Sequence, residues 1–343
     1  MKVVNLHISW QKNSLRMTRE EAIREMNTMG RQGVSFVFVI NYDMTDCMVW
    51  TMDNVPQNVL FNFRGVSNEG HEERKRDGLG ALVWEVKAES EDYYKKRFGI
   101  VRKHLLRGDS YLVNLTARMP VETNLSLRDI YNYSKAKYKL WVKDKMVCFS
   151  PETFLQIRDG VISCCPMKGT IRADAPNARE KLLADPKEIA EHATIVDLIR
   201  NDLSIIANQV SVEDYRYVER LHTNNGDIYQ TSSRVTGQLP KGFESRLGEI
   251  IFSQLPAGSV TGAPKPMTCR IIREAEDYER GFYTGVMGYW RNGVLDSAVM
   301  IRFIDTDGTH LWFKAGGGVT AKSDCHSEYL ETLEKIYVPV TID

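Results

Sequence analysis

The chain has 343 residues, in which 45 lysines and arginines balance 45 aspartates and glutamates. A net charge of zero argues against nucleic acid or an anionic membrane surface as the main partner. Hydrophobic residues make up 43% of the chain, which is ordinary for a protein with a large core, and no apolar run approaches the ~18 residues that a membrane span needs. The six cysteines form no CxxC pair, and the first residues lack the apolar stretch of a secretion signal. We therefore expect neither structural zinc nor a disulfide framework, and a cytoplasmic location.

Hydrophobic periodicity predicts strands and helices that do not alternate strictly along the chain. This order favours large antiparallel sheets flanked by helices over a doubly wound parallel sheet. The longest helical pattern, at about 178–208, places Ile189, Val196 and Leu203 on one face. In chain order, the predicted elements are strand 34–40, loop 64–80, helix 91–107, strands 111–116, 145–149 and 154–158, helix 178–208, strands 282–290, 295–304 and 310–314, and a last helix from Ser323 or Asp324 to Ile336.

One lysine, Lys168, lies in an unusual local context, the segment PMKGT at 166–170. Proline fixes φ and glycine permits a tight backbone path, so the side chain between them has a defined direction. A lysine that is partly removed from water can lose its proton near neutral pH and attack carbon. The sequence therefore marks Lys168 as a candidate nucleophile.

Two pairs of glutamates have helical spacing. Glu188 and Glu191 are three residues apart on the long helix, and Glu328 and Glu331 repeat that spacing on the last one, so each pair projects from one helix face. Four carboxylates from two helices suit Mg²⁺, which takes one or two of them directly and keeps water at its other positions. The alternative is that each pair only covers a solvated helix face.

Two segments rich in small residues are candidate anion sites. AGGGV at 315–319 follows a predicted strand, and its glycines allow a carboxylate to approach backbone N–H groups. The segment PAGSVTGAPK at 256–265 combines hydroxyls and a lysine with the start of a helix. Neither matches a P-loop or a dinucleotide fingerprint. The alternatives are a tight turn for the first segment and a helix-initiating loop for the second.

Glu152 is a candidate acid. We expect a hairpin with its turn at Asp159 and Gly160 to bring Glu152 near Lys168. A carboxylic acid and an amine that face one pocket can divide the roles of acid and nucleophile. The alternative is a surface ion pair.

Together, seven segments closely resemble the chorismate-utilising enzymes, which include anthranilate synthase component I, aminodeoxychorismate synthase component I, and the isochorismate and salicylate synthases. The resemblance implies one unit of layers α/β/β/α over 1–343, with a short N-terminal part at 1–90 and a chorismate-binding core at 91–343. The segments that carry it are SPE (150–152), PMKGT (166–170), EHATIVDLIRNDL (191–203), GSVTGAPK (258–265), RGFYTGVMGY (280–289), AGGG (315–318) and EYLET (328–332).

Within that family, Lys168 separates the activities. Anthranilate and isochorismate synthases typically carry alanine at this position, whereas aminodeoxychorismate synthases with a covalent intermediate carry lysine. Isochorismate and salicylate synthases place a base lysine in the strand where this chain has Leu112. The resemblance therefore implies aminodeoxychorismate synthase component I, of p-aminobenzoate and folate biosynthesis. Glu152 would protonate the leaving 4-hydroxyl of chorismate and Lys168 would attack C2, after which ammonia adds at C4.

The same resemblance implies the remaining ligands. Glu191 and Glu331 would hold Mg²⁺, with Glu188 and Glu328 supporting it through water. The substrate would be bound by hydroxyls, charged groups and backbone amides, namely those of Thr170, Tyr229, Ser259, Thr261, Lys265, Tyr283, Arg302, Gly316, Gly317 and Gly318. Tyr229 is a departure, because the family often has histidine there; we hypothesise that its phenol contacts the ring or a carboxylate.

The resemblance also implies partners. A separate glutamine amidotransferase subunit would supply ammonia, and an aminodeoxychorismate lyase would act on the product. Two alternatives stay open at this point. One is anthranilate synthase component I, and the other is a catalytically silent subunit that only binds an amidotransferase.

Overall fold

A computed structural model describes residues 16–70, 83–221 and 227–336. Part of the predicted loop at 64–80, residues 71–80, lies outside these ranges. Within them, no helix combines the length and apolarity needed to cross a bilayer. The helices are α1 Arg19–Arg31, α2 Glu91–Arg107, α3 Leu127–Tyr133, α4 Ala178–Ala184, α5 Pro186–Ser204, α6 Leu247–Ser253, α7 Lys265–Ala275 and α8 Cys325–Glu334.

The strands form two antiparallel sheets, each of nine strands among the described residues, which confirms the predicted fold class. The strand bounds are β1 Phe36–Ile40, β2 Cys47–Thr51, β3 Val59–Phe63, β4 Val66–Ser67, β5 Trp84–Val86, β6 Leu112–Thr123, β7 Tyr138–Val142, β8 Met146–Ser150, β9 Thr153–Arg158, β10 Val161–Cys164, β11 Met167–Arg172, β12 Asn208–Leu221, β13 Ile228–Gln238, β14 Gly262–Ala263, β15 Val286–Arg291, β16 Val294–Val299, β17 Phe303–Thr306 and β18 Leu311–Val319. The first sheet has the order β11-β13-β10-β9-β16-β15-β1-β2, with β12 paired to β13. The second sheet has the order β14-β6-β18-β17-β8-β7-β3-β4, with β5 paired to β6.

The sheets pack face to face with helices outside them. In β1, Val37 and Val39 join the cluster between the two sheets, while Phe36 and Phe38 join the cluster beneath helices α1, α5 and α6. All four are fully buried, because successive side chains of a strand point to opposite faces. This explains why the segment is a continuous apolar run rather than an alternating one.

Both predicted ends of α2 and the predicted start of α8 are confirmed, and each of them has a capping residue. Ser90 caps α2, which ends at Gly108 with φ 79°, and Asp324 caps α8. The single helix predicted at 178–208 is wrong: it is divided into α4 and α5. Pro186 cannot continue a helix but suits its first position, and Asp185 caps the new helix. Ile189, predicted on the buried face, is 39% exposed, whereas Val196 and Leu203 on the same helix are buried.

Two other strand predictions also need correction. Strand β15 begins only at Val286, because residues 281–284 form a turn. The predicted strand at 295–304 is two strands, β16 in the first sheet and β17 in the second. Arg302, with φ 54°, lies at the break, where the chain passes between the sheets.

Candidate active site

Two such passages between the sheets meet at the centre of the candidate site. Residues 151–152 connect β8 in the second sheet to β9 in the first, and residues 300–302 connect β16 to β17. The Val299 N–H donates to the Glu152 carbonyl oxygen at 3.2 Å, so the two passages are in contact. The predicted residues Glu152 and Arg302 are thus placed at one junction.

Glu152 is a partly buried carboxyl with a hydroxyl partner. Ser259 Oγ donates to Glu152 Oε1 at 2.5 Å. Burial raises the pKa of Glu152, although the Ser259 hydrogen bond and the charges of Lys168 and Lys335 act in the opposite direction. A carboxyl that keeps its proton to higher pH than usual is suited to act as a general acid.

Lys168 reaches the same region from β11. Its Nζ lies 3.6 Å from Glu191 Oε2, and its side chain is 21% exposed. The predicted hairpin exists, with its turn at Asp159 and Gly160, but Lys168 is on neither of its strands. Strand β11 is separated from β9 by β13 and β10, so the hairpin alone does not bring Lys168 to Glu152.

Gly169 fixes the direction of Lys168. Its φ is 78°, a conformation that L side chains rarely adopt, and the register of β11 against β13 shifts between Lys168 and Thr170. A Cβ at Gly169 would lie 2.7 Å from Glu188 Oε2. The glycine is therefore favoured by the backbone conformation, and a Cβ at this position would also displace the Glu188 carboxylate.

The two glutamate pairs lie near one another. Lys187 Nζ is 3.8 Å from Glu191 Oε1 and 3.3 Å from Glu328 Oε1, so one ammonium joins α5 to α8. A Cβ added to Gly317 would be 3.7 Å from both Glu328 Oε2 and Glu331 Oε1. The glycine strand therefore lies beneath the carboxylates.

These carboxylates fit a hard divalent cation. Glu191 Oε1 and Glu328 Oε2 are buried without a hydrogen-bond partner, which is costly unless a cation or water supplies one. In the described part of the chain, no three His, Cys, Asp or Glu side chains are placed to share one ion directly. The donor atoms of these carboxylates are all oxygen, the type that Mg²⁺ prefers.

The pKa values of these glutamates are shifted in different directions. Burial, with the charge of Glu191, raises the pKa of Glu188, and burial likewise raises that of Glu328 beside Glu331. Burial alone would also raise the pKa of Glu331, but Lys335, with its Nζ 2.7 Å away, helped by Lys168 and Lys187, holds it below its usual value.

The AGGG segment is a strand, which corrects the prediction that it follows one. Gly316, Gly317 and Gly318 pair with β6 within β18. Alternate residues of an antiparallel pair direct their N–H groups away from the partner, so some of these amides face away from β6. A Cβ at Gly318 would lie 3.1 Å from Lys168 Nζ, so the absent side chain leaves room for the lysine.

Lys265 is paired with groups of the chain itself. It starts α7, and its Nζ lies 2.7 Å from Asp202 Oδ2 and donates to the Gln254 carbonyl oxygen. This pairing ties the lysine to α5. Within the same segment, Ser259 donates its hydrogen bond to Glu152, and Thr261 is fully buried.

The remaining predicted residues lie at different depths. Tyr283 is buried in the core between the sheets, and burial raises its pKa. Arg302 Nη1 donates to the Lys335 carbonyl oxygen at 2.6 Å. Thr170 is exposed on β11, and Tyr229 lies in β13 opposite Ile171.

A family model described as chorismate binding enzyme matches residues 51–341. The chain belongs to the chorismate-binding enzyme family. It is 40% identical to an uncharacterised PabA-like protein of Haemophilus influenzae over 94% of this chain and 98% of that protein. It is 32% identical to aminodeoxychorismate synthase component 1 of Klebsiella aerogenes over 74% of this chain and 58% of that protein. A solved structure, anthranilate synthase component I of Streptococcus pneumoniae, is similar at 28% identity with a TM-score of 0.61, over 75% of this chain and 59% of that one.

Two lysines of this chorismate-binding enzyme were missed from the sequence. Lys187 and Lys335 each contact the glutamates, and helical spacing of four residues from Glu191 and Glu331 was the available signal. His192, which follows Glu191, is buried with its Nε2 2.6 Å from Ser233 Oγ. Burial, with Arg216 and Lys168, lowers the pKa of His192 to about 4, so it is a neutral hydrogen-bonding group at physiological pH.

Proposed function

We propose that this chorismate-binding enzyme is aminodeoxychorismate synthase component I, which converts chorismate and ammonia to 4-amino-4-deoxychorismate. The observation that carries the proposal is the position of Lys168. Its amine lies 3.6 Å from Glu191, one of the proposed metal ligands, and its charge acts on Glu152. A primary amine can act as a nucleophile toward carbon, and in the sequence resemblance a lysine at this position is associated with this product.

The proposed reaction divides one displacement into two steps. Glu152 donates its proton to the 4-hydroxyl while Lys168 Nζ forms a bond to C2, so both ring double bonds shift by one position and water leaves C4. Ammonia then forms a bond to C4, both double bonds shift back, and the C2–N bond to Lys168 breaks. The raised pKa of Glu152 supports its role as the proton donor.

The proposed Mg²⁺ site uses Glu191 and Glu331 as direct ligands, with Glu188 and Glu328 acting through water. When bound, the ion would neutralise and orient the ring carboxylate. The unpartnered oxygens of Glu191 and Glu328 support this assignment. The chain's own contribution is to hold two helices so that carboxylates from both approach one position.

We further propose that a glutamine amidotransferase subunit supplies the ammonia and that a lyase converts the product to p-aminobenzoate in the cytoplasm. A silent, purely binding subunit is disfavoured because Glu152, Lys168, Glu191 and Glu331 are all present. Anthranilate synthase component I is the runner-up, because the identities to the two kinds of relative, 32% and 28%, are similar.

The deciding experiment incubates the protein with chorismate, Mg²⁺ and an ammonium salt, with and without added aminodeoxychorismate lyase. We expect p-aminobenzoate only in the lyase-coupled reaction, measured by chromatography. Fluorescent anthranilate in both reactions would instead establish the runner-up. No amino product in either reaction, while a known aminodeoxychorismate synthase is active in parallel, would favour the silent subunit.

A further inference from the structure

Lys187 occupies an unusual place in the carboxylate cluster. It lies in the first turn of α5, and its ammonium contacts the Oε1 atoms of both Glu191 and Glu328. The Glu328 side chain is 1% exposed, whereas that of Lys187 is 48% exposed. A lysine that is half in solvent therefore reaches inward to a carboxylate that water hardly reaches.

The position of this ammonium coincides with the space between the two helices. A divalent cation that draws on Glu191 and Glu328, directly or through water, must enter the same space. Two cations cannot share it, because like charges a few ångströms apart repel strongly where burial reduces screening. The metal and Lys187 are therefore competitors.

Of the lysines that contact the cluster, Lys187 is the one best able to leave. Lys168 and Lys335 are 21% and 32% exposed, and Lys335 is also held by the Gly316 carbonyl oxygen. The stem of Lys187 is long and flexible, and its ammonium is well solvated once it turns outward. When the ammonium turns outward, the protein loses one partly exposed ion pair with Glu191 and one with Glu328.

We propose that Lys187 is a built-in counterion that occupies the metal position when the ion is absent and is displaced when a divalent cation binds. This inference rests on the Mg²⁺ site of the proposed function. It gives Lys187 two effects. It reduces the repulsion among the carboxylates in the metal-free protein, and it weakens the affinity for Mg²⁺ by competing with the ion.

The test compares Mg²⁺ binding to wild type, Lys187→Met and Lys187→Arg by isothermal titration calorimetry without chorismate. Methionine keeps most of the length of the side chain, being one atom shorter, but removes the charge. We expect Lys187→Met to bind Mg²⁺ on the order of fivefold more tightly, the equivalent of an ion pair of about 1 kcal/mol that the metal no longer breaks. Lys187→Arg should bind as wild type does. Lys181→Met, at an exposed lysine of α4, is the matched control and should leave the affinity unchanged.

Thermal unfolding supplies a second measurement that does not depend on activity. Without metal, Lys187→Met should melt below wild type, and saturating Mg²⁺ should close that gap. If Lys187→Met does not fold, Lys187→Gln takes its place in both measurements.

The outcomes separate this inference from the proposed function. Equal or weaker Mg²⁺ binding by Lys187→Met overturns the role of Lys187 and leaves the magnesium site intact. If wild type and Glu191→Gln bind Mg²⁺ equally, or neither binds, then the magnesium site and the inference both fail. The identity of the amino product is measured independently.

Discussion

The acid region around Glu152 and the carboxylate cluster between α5 and α8 use the same side chain in different surroundings. Glu152 has one hydroxyl partner, and lysines act on it only through charge, so burial prevails and raises its pKa. Glu331 has an ammonium 2.7 Å away, which prevails over burial and lowers its pKa. The balance between burial and hydrogen bonds from lysine thus makes Glu152 keep its proton to higher pH and Glu331 lose its proton more readily.

The largest expected effect comes from removing the amine that lies between the two regions. Lys168→Ala should reduce formation of the amino product by at least ~10³-fold, because the reaction loses its covalent step. Intact-protein mass spectrometry after incubation with chorismate and Mg²⁺ but no ammonia should show an adduct of chorismate less water on wild type only. The same mass for both proteins would remove the covalent step from the mechanism.

Next in size is the loss of the acid. Glu152→Gln should lower kcat by ~10²–10⁴-fold, the usual contribution of a general acid. Because the acid must be protonated, wild-type activity should fall as the pH rises through the raised pKa of Glu152, and the residual activity of the variant should lack that alkaline decline. The check is kcat against pH for both proteins; an alkaline limb retained in the variant would assign the limb to another group.

A smaller effect, on stability, tests how closely α5 approaches β11. Gly169→Ala and Gly242→Ala both place a Cβ at φ 78°, but only the first brings it against Glu188, at 2.7 Å, since Gly242 has no atom within 4 Å. We expect Gly242→Ala to cost ~1–2 kcal/mol for the backbone alone and Gly169→Ala about 0.5–1.5 kcal/mol more, because the Glu188 side chain must move off its rotamer.

Urea unfolding measures both free energies. Equal costs for the two variants would mean that Glu188 is readily moved and that the glutamate does not define the position of the lysine strand.

The smallest effect sharpens the account of the acid region. The Ser259 hydrogen bond favours the ionised form of Glu152, so Ser259→Ala should raise the pKa of Glu152 further. The alkaline limb of kcat should move to higher pH, while kcat near neutral pH changes only a few-fold. A limb that moves to lower pH would show that Ser259 stabilises the protonated acid instead.

Local signals predicted the ends of helices and many strands, but not the elements whose partners are distant. Helix α2 was predicted correctly, because the residues that bound it, a serine cap and a terminal glycine, act within a few residues. Strands β12 and β13 were missed because polar residues such as Asp214, Arg216 and Glu219 break the apolar pattern, while among the described strands β12 pairs with β13 alone. The contact of Lys187 with Glu328 joins residues far apart in the chain, and no local pattern reports it.

The position of Glu152 at a passage between the sheets restricts the length of the connection between β8 and β9. Only residues 151–152 separate β8 from β9, and these strands belong to different sheets. Adding one residue there would either displace the carboxyl from Ser259 or shift β9 by one position, which exchanges its two faces. The number of residues in this connection is therefore as strictly specified as the glutamate itself, and insertions tolerated in surface turns should not be tolerated here.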